Sequence, residues 1–474
     1  MTLDRRSVSA VIAGVIGVAV VGLSMSRLSY DIWGAVVLAP IVGFATAPLI
    51  NLGFRDRYPE LVPFIWTGLG AKLVGTVLGY FVRFDAYGGN ADAGRYHDAG
   101  RLLAAGVRSG ERSPVAVLPT STDTAFIEQV NGLVYAIVGS SLVGGFLVFA
   151  WFSFLGTLLV MRGVLDAVPG LGRRRYACLL MFTPSLMYWG SSPGKEAVIG
   201  LLLGMTTFGA AQLLGDRQRR RGAVIWCVVG LGLTARIRPH FAAIWAAALV
   251  LALVVKLVSE SLGTRRRERR PQSRIAIAVM IALAVVGFAG ISMATLSRLD
   301  PIAEDTATEG APESVTDRVN NIFERTENQT SQGGSNFETV SIENPLNWPV
   351  AAARTLTRPL LIEARSIAEM LPAIETTALL ALLVVSWSRL RSLPRLLRRQ
   401  PFMVFVVLAV LMFGVAFSSI GNLGILARQR SLVLPLMLVL WCLPASMPRR
   451  HDTSRVTRPD AARSTPKSSP GVLA

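Results

Sequence analysis

Apolar runs near bilayer-crossing length, repeated along the whole chain, leave few folds open, because in lipid every backbone polar group must be satisfied internally. Such runs occupy 8–25, 32–51, 61–82, 142–161, 176–190, 197–214, 222–235, 241–257, 275–295, 371–388, 401–419 and 431–447. At roughly 20 residues per crossing they predict an all-α, polytopic integral membrane protein with about 12 transmembrane helices. Composition agrees: 52% of residues are hydrophobic and 16% charged, against about 25% charged in soluble domains. A soluble enzyme, a disordered chain and a disulfide scaffold are thereby excluded. Cys178, Cys227 and Cys442 lie far apart inside apolar runs and read as packing residues.

Lys and Arg number 48 against 30 Asp and Glu, a formal charge of +18. In a soluble chain that excess suggests nucleic acid; in an apolar one it reflects basic residues kept in cytoplasmic loops. If every span crosses, Arg55, Arg57, Arg173–Arg175, Arg217–Arg221, Arg265–Arg270 and Arg389–Arg399 share one side with both termini. Roughly thirty of the 48 bases then face about nine acids on the inside. The excess marks topology, so no nucleic-acid partner is expected. Arg5 and Arg6 precede the first run without a small-residue cleavage site, which reads as an uncleaved first helix.

Residues 1–448 thus form one polytopic membrane domain, and the Arg-, Pro- and Ser-rich 449–474 reads as a disordered basic cytoplasmic tail. Two outer loops are long, about 83–131 and 297–370. The second is acidic and polar before Pro345, then mixes Trp348 and apolar residues with Arg354, Arg358, Glu363 and Arg365, as an interfacial helix would.

Four groups of polar residues fall at outer helix ends. Asp85, Tyr87, Asn90, Asp92, Tyr96, His97 and Asp98 follow directly on the third span. A carboxylate there suits general-base work, with Asp85, Asp92 and His97 the catalytic candidates, and Asp92 shares a face with Tyr96 if the segment is helical. A divalent cation held by Asp85, Asp92 and His97 matches no strong spacing, so no cofactor is expected. In PSLMYWGSSPGKEA, Lys195 and Glu196 open a helix. An acid is ordinary at that position, whereas a cation opposes the helix dipole and points to an anionic ligand or a paired carboxylate. Arg236, Arg238 and His240 surround Pro239, and Arg428 and Arg430 enter the last span. Arginine's planar fork suits bidentate phosphate contact, while snorkelling anchors are the plain alternative. Lys72, inside the third span, is an intramembrane charge.

The span number, the carboxylate-bearing outer loop, the PSLMYWGSSPGKEA stretch and the RPH and RQR motifs together resemble the polytopic bacterial glycan-assembly enzymes. Those are the C-type membrane glycosyltransferases and the O-antigen-like repeat-unit polymerases. The resemblance implies a multi-pass protein of the bacterial plasma (inner) membrane that transfers glycosyl groups at its outer face from a polyprenyl-phosphate- or pyrophosphate-linked sugar, among possible cell-envelope biosynthesis partners. It implies substrate binding by the outer arginines Arg236, Arg238, Arg428 and Arg430, to which the residue chemistry adds Tyr96, Lys195, Glu196 and His240 as substrate-binding candidates. A lipid-linked oligosaccharide flippase and a membrane scaffold are the alternatives from other classes.

Overall fold

The computed structural model describes residues 5–86, 92–215, 220–262, 340, 344–364 and 367–445. All regular structure among them is helical, with no β-strand. In chain order the helices are α1 (Arg5–Arg27), α2 (Tyr30–Ile50), α3 (Val62–Phe81), α4 (Asp92–Arg108), α5 (Asp123–Val138), α6 (Leu142–Ala167), α7 (Arg173–Phe182) and α8 (Pro184–Tyr188). There follow α9 (Lys195–Leu214), α10 (Arg220–Ile237), α11 (Pro239–Leu262), α12 (Trp348–Thr357), α13 (Ile367–Val385), α14 (Trp387–Leu390), α15 (Leu393–Arg399), α16 (Pro401–Ala416) and α17 (Leu423–Trp441).

Among the described residues, six helices are long and apolar enough to cross a membrane: Tyr30–Arg55, Pro59–Phe84, Leu142–Ala167, Lys195–Leu214, Pro239–Glu260 and Leu423–Trp441. A seventh crossing follows if Glu369–Val385 and Trp387–Arg399, bent by 66°, count as one span. Several of the expected runs therefore take other forms. Segment 176–190 becomes α7 and α8, because Pro184 cannot donate into the ladder and stops α7 at Phe182. The α10 run contains Arg220, Arg221 and Arg236, and α16 is a shorter apolar helix. The expected run 275–295, the polar part of the second long loop and the tail 449–474 lie outside the described residues.

The central core sits where α6, α9, α11, α16 and α17 pack, around Phe149, Trp245, Phe405, Phe413 and Leu434. Backbones approach most closely at α6 and α9, where a Cβ on Gly156 or Gly204 would run into the other helix's backbone. Local signals set the helix starts. Ser141 caps α6 by accepting from Gly144 N–H at 3.0 Å, while Asp31 accepts from Leu142 N–H at 3.1 Å. Asn422 caps α17 by accepting from Gly424 and Ile425 N–H at 3.0 and 3.1 Å. The expected loop 83–131 is mostly helical: α4 and α5 pack as a hairpin, with Asn131 donating to Tyr96 O at 2.7 Å. Of the expected interfacial segment, Trp348–Thr357 forms α12, whose Ala352 is buried against Gly414 of α16.

Candidate functional site

The end of the bundle at which α3 finishes and α9, α11 and α17 begin holds most of the polar residues singled out in the sequence. Pro239 ends α10 and opens α11, leaving Arg238 at the corner between them. Asn422 starts α17 early enough that Arg428 and Arg430 fall inside the helix rather than before it.

Glu196, on the first turn of α9, is 4% exposed and joins three of the four groups. Its Oε2 accepts from Arg428 Nη2 at 2.7 Å, and its Oε1 lies 3.1 Å from Arg238 Nη2 as a charge pair without an aligned hydrogen bond. Arg428 also reaches Asp92 Oδ2 at 3.5 Å. Arg238 donates to Gln429 Oε1 of the neighbouring helix. So the first turn of α4, the start of α9, the α10–α11 corner and the start of α17 are tied by one buried carboxylate. The dipole argument for Glu196 is therefore incomplete: its place at a helix start is ordinary, its burial between two guanidinium groups is not.

Lys195 resolves the other way, towards a paired carboxylate: it bonds Asp123 Oδ1 at 2.5 Å. Burial alone would raise the Asp123 carboxyl, but the Lys195 ammonium holds it below its ordinary value. Arg236 donates to Thr120 O. These two contacts clamp the start of α5 to α9 and α10. Tyr96, four residues after Asp92, is buried behind it. Burial raises its hydroxyl to about 12, with the Asp92 charge adding to the effect.

A cavity of about 900 Å³ opens beside this cluster, walled by Asp92, Glu196 and Arg428, by Arg83 and by Tyr188 and Trp189. At its border, Leu78 of α3 and Leu371 of α13 are 61% and 54% exposed, an apolar rim. Two wall residues escaped the sequence reading. Arg83 counts there only as the edge of a loop, yet its guanidinium lies 4.0 Å from the Tyr188 ring centroid and donates to Tyr188 O at 3.1 Å. Glu375 of α13 sits in a run read as plainly apolar; its Oε2 accepts from Ser185 N–H at 2.5 Å, and its buried Oε1 has no partner among the described residues. A charge inside an apolar span was the available signal for Glu375.

Other residues stand apart from the cavity. His97 is buried between α4 and α5, its Nδ1 2.7 Å from the Tyr135 hydroxyl; burial lowers its pKa, against an opposing effect of Asp31 and Asp98. Arg430, 1% exposed, bonds Arg358 O and, at 2.7 Å, Thr376 Oγ1. His240 packs its ring against Phe417, 5.5 Å between centroids. The side chain of Asp85 lies outside the described residues. Lys72 is buried below the loop after α8 and donates to Leu186 O at 2.8 Å and Ser153 Oγ at 3.3 Å, so it braces the α7–α8 break. Among the described residues, no three His, Cys, Asp or Glu side chains gather as a metal site.

The chain matches no protein-family model, no curated protein and no solved structure. Chemically, the cavity offers an accessible carboxylate beside arginines, stacking aromatics and an apolar border.

Proposed function

We propose that this protein transfers a glycosyl group at the outer face of the bacterial plasma membrane, from a sugar carried on polyprenyl phosphate or pyrophosphate. The observation that supports this reading is that Asp92, Arg428 and Arg83 line one cavity together with the exposed apolar residues Leu78 and Leu371. A lipid-linked donor needs that pairing: a cationic place for the phosphate and an apolar approach for the chain. In the proposed step the bond from the sugar's anomeric carbon to the carrier phosphate breaks, and a bond to the acceptor oxygen forms. The acceptor's proton passes to the Asp92 carboxylate, whose side chain is 60% exposed. The departing phosphate keeps the electron pair, and Arg428 stabilises the developing charge. Arg238 acts behind Arg428, through Glu196, while Lys195 holds the start of α5 against α9 through Asp123. The topology that accompanies this reading has about twelve crossings, with α7 and α8 forming one broken crossing and both termini in the cytoplasm.

The test is glycan output in a strain lacking the native copy. Asp92→Asn should lower it by about 10²-fold or more, the usual yield of a general base, with protein level in the membrane unchanged. Unchanged glycan amount and chain length in both Asp92→Asn and Arg428→Gln would sink the proposal. If instead reconstituted protein moved lipid-linked sugar across the bilayer without forming a glycosidic bond, the chain would be a flippase.

A further inference from the structure

The cations at this end of the bundle are not equally free to meet a ligand. Arg428 is neutralised by Glu196 at 2.7 Å and Asp92 at 3.5 Å, and Arg238 shares Glu196 at 3.1 Å. Lys195 is matched by Asp123. Arg83 differs. It donates to two neutral carbonyls, Gly79 O at 3.2 Å and Tyr188 O at 3.1 Å, and has no carboxylate partner among the described residues. Arg428, of like sign, lines the same cavity. An anion bound in that cavity would lower the mutual repulsion of the two guanidinium groups.

We propose that Arg83, without a carboxylate partner among the described residues and stacked on Tyr188 at the cavity wall, is the primary contact for the phosphate of the lipid carrier. This rests on the lipid-linked transfer reading and assigns its phosphate site. The guanidinium plane is fixed in advance, 4.0 Å from the Tyr188 centroid and 5.8 Å from that of Phe146, so little side-chain freedom is lost on binding. Its remaining donors suit bidentate contact with a phosphate. Space for the guanidinium depends on Gly79, where a Cβ would come within 2.9 Å of Arg83 Nη1. Gly79 and Gly75, four apart on one face of α3, line the same cavity together with Leu78 and Met187. A prenyl chain attached to a phosphate at Arg83 would run past Met187 towards Leu78 and the apolar rim. Arg428 then supplies the second cation, and a phosphate reaching it competes with Asp92, freeing that carboxylate to take a proton.

The experiment uses the purified full chain in detergent with farnesyl phosphate, farnesol and inorganic phosphate as probes, read by calorimetry. Farnesyl phosphate should bind at least tenfold more tightly than farnesol. Arg83→Gln should reduce that preference to less than twofold, Arg83→Lys should keep part of it, and Arg57→Gln, outside the cavity, should keep all of it. In the unaltered protein, farnesyl phosphate should protect Arg83 from phenylglyoxal, scored by peptide mass spectrometry, which decides the matter even if Arg83→Gln does not fold. A preserved preference in Arg83→Gln, or an unprotected Arg83 despite tight binding, would overturn the assignment and leave the carrier reading standing on Arg428. Equal binding of farnesyl phosphate and farnesol to the unaltered protein would remove the carrier reading itself. Equal protection by inorganic phosphate would make the ligand a soluble phosphate compound and overturn the lipid assignment.

Discussion

Glu196 carries more of the site than its position suggests. Taking a carboxylate out of water costs several kcal/mol, and here two guanidinium groups offset that cost while the carboxylate offsets theirs. Removing one partner strands the others. Glu196→Gln should therefore destabilise the protein by about 3–5 kcal/mol, the usual cost of breaking a buried pair, read as a lower melting temperature in detergent. Adding Arg238→Gln should cost less than the two single losses together, because the residues act as one unit. A Glu196→Gln protein that melted with the unaltered one would show that the cluster is not buried as described. At this scale the sequence was informative where a residue violated a local rule. Lys195 opposes a helix dipole, and it has a carboxylate partner in Asp123. Glu196 violates nothing, so its burial was invisible. Arg83 and Glu375 were hidden for opposite reasons: one stands at the end of a span, where arginines are common, and the other inside a run whose average is strongly apolar.

Helices α6 and α9 are held close by residues chosen for what they lack. In α6, a Cβ on Gly156 would come within 2.7 Å of Leu201 Cα, a backbone atom that cannot swing aside; on Gly200 of α9 the nearest side-chain atoms would be 4.0 Å away. Gly156→Ala should therefore cost about 1–3 kcal/mol by overpacking, while Gly200→Ala should be nearly neutral. Thermal melting of the two variants in one detergent checks this, and equal losses would mean that α6 and α9 are not in contact at these positions. Because α9 carries Lys195 and Glu196 at its start, Gly156→Ala should also loosen the site without touching it. Element boundaries were legible where a residue imposes them. Pro184 and Pro239 break helices, and Asn422 starts one. Boundaries inferred from hydropathy alone drifted: charges at 428 and 430 moved the expected start of the last span to 431, although α17 begins at Leu423. Inside a bundle, a buried arginine bonded to carbonyls belongs to the helix, and hydropathy averages cannot register those bonds.

Across the whole molecule, the all-helical architecture follows from the apolar runs, and six or seven of the described helices have the length and composition to cross a membrane. The expected dozen treats each run as a crossing. The count of six or seven omits runs that break at proline, such as α7–α8, or that carry several arginines, such as α10. What hydropathy cannot supply is which end faces out; that rests on the distribution of bases. Arg55 and Arg57 flank Asp56 at the end of the second span, whereas Ser109 follows α4 on the site's side of the bundle, and both residues are exposed. In a protein with Cys178, the exposed native thiol, changed to Ser, the two positions report orientation directly. A membrane-impermeant maleimide should label Ser109→Cys in intact spheroplasts and Asp56→Cys only after permeabilisation. Labelling of Asp56→Cys in intact spheroplasts would invert the chain, place the Arg83 cavity on the cytoplasmic side, and end the case for transfer at the outer face. The same labelling would still leave Arg83, Asp92 and Arg428 on one wall, so a cytoplasmic phosphate-bearing substrate would then become the reading to test.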